Sequence, residues 1–229
     1  MTYPLCDQLQ TIGQRIKAAE IKYQRQAGSV HLLAVSKRHP MAAIQDARQC
    51  GQLAFGENYA QEMHEKALLT QDDDIEWHYI GPVQSNKTQL IAQHAHWVHS
   101  VDRLKIARRL SMQKPADKPA INICLQLNIS HERNKSGISL DELPELAKQV
   151  AQLPNIKLRG LMAIPAPSRD FDTQRKTFAK VRKALEALNQ QGYNLDTLSM
   201  GMSADMEAAI AEGATIVRIG TAIFGQRPA

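Results

Sequence analysis

Two short segments near the end of the chain carry groups that could bind a phosphate. Residues 199–205 and 217–225 each read as the end of an apolar strand that runs into a small, glycine-containing turn. Ser203, Gly220 and Thr221 would offer backbone N–H groups and two hydroxyls, with no carboxylate inside either turn. A phosphate group needs donors of this kind, so the two turns predict a phosphate site.

A third apolar strand ends in a lysine, because residues 30–35 are followed by Ser36 and Lys37. A phosphate site together with a lysine at a strand end indicates a phosphorylated aldehyde held as a Schiff base, which is the chemistry of pyridoxal phosphate. Schiff-base formation needs the free amine, whereas an exposed lysine has a pKa of about 10.4. Partial burial beside a second cation, for which Arg218 is the candidate, would lower that pKa. The alternative is a surface-loop lysine, with Arg38 as a second.

Arg218 lies within the last apolar strand, where its side chain could point into the mouth of a barrel. Arginine stays cationic and only donates hydrogen bonds, so at a pyridine nitrogen it would favour an unprotonated ring. An unprotonated ring withdraws electrons less strongly than a pyridinium. Such a site would hold the cofactor yet suit carbanion chemistry poorly. The alternative is a structural arginine paired with a carboxylate.

Polar residues also follow the second and third predicted strands. Asn58 could contact substituents of the cofactor ring, and residues 81–87 are polar where a binding loop is expected. Either segment could equally be a turn with a helix cap at Asn58 or Asn86. The three histidines within residues 94–99 suggest a metal site, but no carboxylate or cysteine joins them at ligand spacing. Histidines bonded to backbone are favoured there.

Short apolar segments rich in β-branched residues alternate along the chain with segments whose apolar residues recur at helical spacing. Asp141 and Asp170 are the expected N-terminal caps, and Gly192 and Gly213 the expected C-terminal stops. The predicted strands are residues 30–35, 53–56, 77–80, 97–101, 121–128, 157–163, 197–200 and 216–219. The predicted helices are residues 7–26, 41–50, 59–69, 87–94, 103–112, 140–153, 171–191 and 205–212.

This alternation predicts an α/β fold, a single-domain (β/α)₈ TIM barrel over residues 1–229 with an extra N-terminal helix. A doubly wound open sheet is the rival, but no glycine fingerprint follows the first strand. Phosphate sites in barrels are frequently built by the loops after the seventh and eighth strands, where residues 199–205 and Gly220 lie. Lys37 ends the first strand, next to the eighth once the barrel closes. Three separate features therefore converge on one rim.

The composition, with 43% hydrophobic and 22% charged residues, is that of an ordinary globular protein. No apolar run approaches the ~20 residues of a membrane span, and no signal peptide is visible, so no membrane association is expected. Cys6, Cys50 and Cys124 are odd in number and widely spaced, which favours reduced thiols and a cytoplasmic location. Basic residues within 175–183 leave nucleic-acid binding as an alternative, but no aromatic residue interleaves with them. A solvated helix face is favoured.

Five ordered motifs resemble those of the pyridoxal phosphate homeostasis protein family, and together they span nearly the whole chain. The motifs are Ala34-Val-Ser-Lys37, Phe55-Gly-Glu-Asn-Tyr-x-Gln-Glu62, residues 77–87, Ser199-Met-Gly-Met-Ser-x-Asp-Met206 and residues 217–225. The resemblance implies a single-domain barrel similar to the N-terminal barrel of alanine racemase.

The resemblance also assigns roles to individual residues. Lys37 would be the Schiff-base lysine, and Arg218 would face the pyridine nitrogen. Met200 and Asn58 would line the cofactor. The phosphate would be contacted by Ser203, Gly220 and Thr221. No residue is assigned a catalytic role.

The function implied by the resemblance is to carry, buffer or deliver pyridoxal phosphate, and so to take part in vitamin B6 and amino-acid homeostasis without robust catalysis. The implied partners are pyridoxal phosphate and apo forms of the enzymes that use it, and a monomer or weak dimer is expected. The alternative is a racemase or decarboxylase of low activity. Racemases of this barrel type add a C-terminal domain that brings a tyrosine opposite the lysine. This chain stops four residues after Gly225, so two-base racemisation is not expected.

Overall fold

All eight predicted strands are present, and they close into a parallel barrel in chain order. The computed structural model describes residues 4–70, 74–130 and 136–226. The strands are β1 His31–Val35, β2 Ala54–Glu57, β3 Glu76–Tyr79, β4 Trp97–Val101, β5 Ile121–Leu127, β6 Ile156–Ala163, β7 Thr197–Ser199 and β8 Ile216–Ile219. Because β1 pairs with both β2 and β8, the (β/α)₈ barrel is confirmed and the open sheet is excluded.

The predicted helices are present with ends that shift by a few residues. They are α1 Pro4–Lys22, α2 Met41–Gln49, α3 Ala60–Leu68, α4 Thr88–His94, α5 Leu104–Gln113, α6 Leu143–Ala151, α7 Phe171–Gln190 and α8 Met206–Ala211. A 3₁₀ turn, Ser85–Lys87, leads into α4, and a short unpredicted helix, α9 Thr221–Phe224, follows β8. The leading helix α1 packs against α8 and α9 through an apolar stripe spaced three or four residues apart.

The strands bury both of their faces, as parallel sheets do. Ala34, Val98 and Val217 belong to the main apolar core, which also contains the buried faces of the helices. Their neighbours along the strands point the other way, because side chains alternate across a strand. Those neighbours form two smaller apolar clusters, which include Leu33 in one and Trp97 in the other. The smaller clusters therefore fill the inside of the barrel.

The predicted helix caps are correct at three of four positions. Asp170 caps α7, since its side chain accepts a hydrogen bond from the Thr173 N–H at 2.7 Å. Gly192 and Gly213 follow α7 and α8 with a φ of 96° each, which favours glycine. The fourth prediction, Asp141, is wrong because α6 begins two residues later and is preceded by a different capping pair. There the Ser139 N–H and hydroxyl donate to Glu142, whose own N–H donates back to the Ser139 hydroxyl.

The prediction of three reduced thiols is wrong for two of them. Cys6, in the first turn of α1, and Cys50, at the end of α2, form a disulfide with a Cα–Cα distance of 5.4 Å. The two residues are 44 positions apart, so only the packing of α1 against α2 brings them together. Cys124 is free and buried on β5. Among the described residues, no helix is long and apolar enough to cross a membrane.

Candidate functional site

A cavity of about 300 Å³ lies at the rim where the parallel strands end. The loops that follow β1, β2, β7 and β8 all reach it, as the fold predicts for the carboxyl-terminal ends of barrel strands. Met200 is fully buried and does not line the cavity. The other six residues predicted to contact the cofactor do line it: Lys37, Asn58, Ser203, Arg218, Gly220 and Thr221.

Strand register brings the lysine and the last turn together. Ala34 of β1 pairs with Ile219 of β8, so Lys37 and Gly220 follow adjacent strand ends. The two residues are more than 180 positions apart in the sequence, and only closure of the barrel makes them neighbours. Lys37 is half-buried at the cavity wall.

Two turns on one side of the cavity present unused backbone donors. Within the described part of the chain, the N–H groups of Ser203, Ala204, Gly220 and Thr221 donate to no acceptor. The first turn needs Gly201, whose φ is +95° and whose added Cβ would lie 2.6 Å from Ala209 Cβ. This glycine lets the chain leave β7 and pass directly over α8. That path brings Ser203, which precedes α8, to the cavity.

Arg218 is held at the base of the cavity by acceptors from two other strands. Its Nη1 donates to the backbone oxygen of Ser199 at 2.5 Å and to the Ser199 hydroxyl at 2.7 Å. Its Nη2 donates to the backbone oxygen of Ala163 at 2.9 Å. These bonds use three of the five guanidinium N–H groups. No ion pair forms between Arg218 and a carboxylate among the described residues. The alternative prediction, a structural arginine paired with a carboxylate, is therefore wrong.

Burial changes the electrostatics of this arginine without neutralising it. Arg218 is only 4% exposed, and burial lowers its pKa to about 10, opposed by the attraction of Asp205. Near neutral pH the guanidinium therefore remains a cation. Asp205 does not line the cavity, and it accepts a hydrogen bond from the Met202 N–H at 2.6 Å.

A buried ionic network, which the sequence pattern did not reveal, anchors the residue before Lys37. The Ser36 hydroxyl donates to Glu57 at 2.6 Å, and the Lys66 ammonium donates to the same carboxylate at 2.7 Å. Lys66 also donates to the Ser36 backbone oxygen at 3.0 Å and to Glu62 at 2.8 Å. Burial raises the pKa of Glu57 to about 7, although Lys66 and Ser36 act against the rise. The network fixes the end of β1 and thus the start of the loop that carries Lys37.

Asn58 contributes a polar atom that lacks a protein partner. Its side-chain Oδ1 is buried and has no hydrogen bond within the described structure. It does not cap α3, so the cap interpretation of this residue is wrong. The backbone oxygen of Asn58 accepts from the Tyr79 hydroxyl at 3.1 Å, and Gly81 packs so closely that a Cβ there would lie 2.1 Å from that oxygen. The backbone is thus fixed while the side chain remains available to a ligand.

Several lining residues escaped the sequence analysis because they are apolar and carry no chemical signal. Val35, Ile80 and Ile164 supply an apolar wall, and Met202 takes the place predicted for Met200. Their position at or just after strand ends was the only available signal. His39 also lines the cavity, and its ring stacks on Phe224 at a centroid distance of 5.0 Å.

The histidines of residues 94–99 have three separate environments. His96 Nδ1 accepts a hydrogen bond from the Trp77 backbone N–H at 3.0 Å, as expected for a histidine bonded to backbone. His94 instead pairs with His64 at 2.8 Å, and His99 bonds to side chains inside the barrel. Across the described residues, no group of three potential metal ligands converges.

The cavity fits a flat ligand that carries an anionic group. Its lining includes two cationic side chains, Lys37 and Arg218, and no Asp or Glu. The unused N–H groups of the two turns suit a phosphate, and the orphaned oxygen of Asn58 requires a donor from the ligand. The Lys37 amine in the same cavity suits an aldehyde. These are the functional groups of pyridoxal phosphate.

Comparison with known proteins agrees with this chemistry. The model of the alanine racemase N-terminal domain family matches residues 10–228. A pyridoxal phosphate homeostasis protein of Pseudomonas aeruginosa is 53% identical over 223 residues, which cover 97% of this chain and 96% of that protein. Its Escherichia coli counterpart is 50% identical over 96% of this chain and 95% of that protein.

A solved structure of PipY from Synechococcus elongatus, with PLP bound, is also similar. It has a TM-score of 0.82 and 36% identity, and the match covers 96% of this chain and 100% of that one. The family match spans nearly all of the chain, and the relatives align over nearly their whole lengths. The chain therefore belongs to the alanine racemase N-terminal domain family and, within it, to the pyridoxal phosphate homeostasis proteins.

Proposed function

We propose that this protein binds pyridoxal phosphate (PLP) in the 300 Å³ cavity and takes part in intracellular PLP and amino-acid homeostasis as a carrier or buffer. The observation that carries the proposal is the meeting of Lys37, Arg218 and two donor-rich turns around one cavity that contains no carboxylate. The PLP-bound structure of a relative with 36% identity supports it.

Each residue has a distinct role in this proposal. The Lys37 amine adds to the ligand aldehyde, and loss of water leaves a C=N bond, which is the Schiff base. The N–H groups and hydroxyls of Ser203 and Thr221, with the N–H of Gly220, donate to the phosphate. Asn58 accepts a hydrogen bond from the ligand. Arg218 donates toward the pyridine nitrogen.

Arg218 also explains why holding the cofactor is favoured over catalysis. When bound, PLP supplies an electron sink for carbanions, and the sink is strongest when the ring nitrogen is protonated. Arg218 remains cationic and can only donate, so it holds that nitrogen in the unprotonated form. An unprotonated ring therefore disfavours carbanion chemistry that depends on the stronger sink.

Covalent trapping tests the assignment directly. Purified protein supplied with PLP should be yellow, and borohydride should fix the cofactor on the peptide that contains Lys37. Lys37→Ala should abolish fixation, whereas the control Lys105→Ala, at an exposed position on α5, should not change it. Fixation on another lysine in the parent protein would refute the role of Lys37.

The homeostatic role predicts transfer of the cofactor to apo forms of PLP-dependent enzymes by a cytoplasmic monomer or weak dimer. Loaded protein and free PLP, at equal concentration, should be compared as donors to several apo-enzymes. A transfer rate that depends on the acceptor indicates delivery through contact. A rate set only by release of PLP indicates buffering, and failure to release PLP to any acceptor would refute both.

A further inference from the structure

A row of buried polar side chains crosses the inside of the barrel and ends at Arg218. From the Ser199 hydroxyl, which accepts from Arg218, the row continues to His99 Nδ1 at 2.7 Å. His99 Nε2 lies 2.9 Å from His78 Nδ1. His78 Nε2 makes no hydrogen bond among the described residues, but it faces the Glu76 carboxylate at an ion-pair distance of 3.3 Å from Oε2. We call these residues, Glu76, His78, His99 and Ser199, the interior chain.

The interior chain connects the two ends of the barrel. Glu76 begins β3, and together with His78 it lines a second cavity of about 600 Å³, which lies at the opposite end from the proposed PLP site. His78, His99 and Ser199 are each at most 3% exposed. Buried polar groups of this kind are costly unless every one is hydrogen-bonded, so their arrangement requires an explanation.

The charges at the two ends favour one direction for the hydrogen bonds between His78, His99 and Ser199. A carboxylate 3.3 Å away attracts an N–H and repels a nitrogen lone pair, so it favours the proton on His78 Nε2 and leaves Nδ1 unprotonated. His99 must then donate from Nε2, which leaves its Nδ1 as an acceptor for the Ser199 hydroxyl. The Ser199 oxygen then accepts from Arg218, a group that only donates, without a competing donor from His99.

The ionisation states agree with this arrangement. Burial lowers the pKa of His78 and, with the positive charge of Arg218 and the neighbouring His78, lowers the pKa of His99. Both rings are therefore neutral near pH 7 and carry one N–H each. The neighbouring His78 lowers the pKa of Glu76 to about 2, so the carboxylate stays ionised.

We propose that the interior chain positions Arg218 from the far end of the barrel: the Glu76 carboxylate sets the tautomers of two histidines, so that the Ser199 hydroxyl donates to His99 and its oxygen accepts from Arg218 without a competing donor from His99. Glu76, His78, His99 and Ser199 are positioning residues, because they act on the cofactor pocket only through Arg218. The consequence for PLP rests on the proposed function, whereas the direction of the chain does not.

Glu76→Gln provides a test because the new amide can face only one way. The Trp97 Nε1–H donates to Glu76 Oε1 at 2.7 Å, so the amide oxygen of the glutamine must take that position. The amide NH₂ then faces His78 Nε2, which has to become an acceptor. Both histidines should consequently carry their proton on Nδ1. The Ser199 oxygen would then accept from both His99 and Arg218, and the Ser199 hydroxyl proton would lose His99 as its acceptor.

The first measurement is the nitrogen NMR spectrum of ¹⁵N-histidine-labelled full chain near pH 7, without added PLP. The parent should show Nε2–H on His78 and His99, and Glu76→Gln should show Nδ1–H on both. Asp74→Asn is the matched control, because it removes the same charge from an exposed residue paired with Arg48 outside the chain. A parent with Nδ1–H on either ring, a Glu76→Gln variant with unchanged tautomers, or a control that also switches would overturn the proposed direction.

The second measurement is the PLP dissociation constant. Glu76→Gln should raise it about two- to tenfold, the effect of weakening one hydrogen bond, while Asp74→Asn should leave it unchanged. His99→Asn keeps an acceptor for Ser199 but cannot reach His78. Adding Glu76→Gln to His99→Asn should therefore have no further effect.

The two measurements separate the chain from the proposed function. Switched tautomers with unchanged PLP affinity would overturn the positioning of Arg218. An additive effect of Glu76→Gln on the His99→Asn background would overturn transmission through the histidines. If the parent fails to bind PLP, the proposed function fails, and the NMR result still decides whether Glu76 sets the direction of the chain.

Discussion

Replacing Lys66 by methionine should show how much the buried network beneath Lys37 contributes to the free energy of unfolding. Lys66 is 6% exposed and Glu57 is fully buried, and the lysine gives one hydrogen bond each to Glu57, Glu62 and the Ser36 backbone. Lys66→Met keeps most of the apolar stem but leaves Glu57 without its cation. Removing one partner of a buried ion pair costs about 3–5 kcal/mol, so a loss of that size in the free energy of unfolding is expected near pH 8.

The loss should depend on pH, and its sign follows from the Glu57 pKa. The folded-state pKa of about 7 lies above the ordinary value of 4.5, so between these pH values the folded state holds a proton that the unfolded chain has released. In the parent, stability from this group is complete at low pH and falls by up to about 3 kcal/mol as the pH rises through 7. Lys66→Met removes the attraction that lowers this pKa, so the fall continues to higher pH.

Near pH 5 the Glu57 carboxyl is neutral in both proteins, so the cost of Lys66→Met should shrink to roughly 1–2 kcal/mol, that of the lost hydrogen bonds. Urea unfolding at both pH values measures the difference. Lys148→Met, at an exposed position on α6, is the matched control and should change stability by less than about 0.5 kcal/mol. A loss that is equal at the two pH values, or below about 1 kcal/mol near pH 8, would refute the reasoning.

Three further outcomes are expected. Ser203→Ala combined with Thr221→Ala should weaken PLP retention at least about tenfold in equilibrium dialysis without altering the fold, because hydrogen bonds to a charged phosphate are strong. Unchanged retention would indicate that the phosphate binds near Asn86 and Lys87 instead. Gly201→Ala should destabilise the protein by about 1–3 kcal/mol in urea, and more than Gly192→Ala, because both have positive φ but only Gly201 would place its Cβ against a neighbour. Reducing the Cys6–Cys50 disulfide should lower the free energy of unfolding by about 2–4 kcal/mol, and a Cys6→Ser, Cys50→Ser variant that still responds to reductant would contradict this.

The barrel could be predicted because its strands and helices are encoded locally. Buried parallel strands need short apolar runs, and the helices need apolar residues at helical spacing, so both periods are visible in the sequence. The ends of the helices were less certain, as α6 shows. Its cap depends on a reciprocal hydrogen bond between Ser139 and Glu142, and the nearby Asp141 carries an equally good local signal.

The candidate site could be predicted in outline for a similar reason. Lys37, Ser203 and Thr221 follow strands, and in a closed parallel barrel all such residues meet at one rim. Met200, which follows β7, was predicted to line the cavity but packs in the main apolar core, whereas its neighbour Ser199 faces the barrel interior and bonds to His99 and Arg218. The register that decides which of them faces the rim comes from strand pairing.

Sequence alone therefore determined the fold, the rim and the chemistry of the site, because strand and helix periods and the types of strand-end residue are local properties. Tertiary structure alone decided which side chains of different elements pair with one another. Cys6 with Cys50, Glu57 with Lys66, and Glu76 with Arg218 through two histidines each join different elements of the chain. A buried charge or thiol looks the same in the sequence as an exposed one. What it bonds to, and hence its pKa and its role, is fixed only when the barrel closes and removes water from around it.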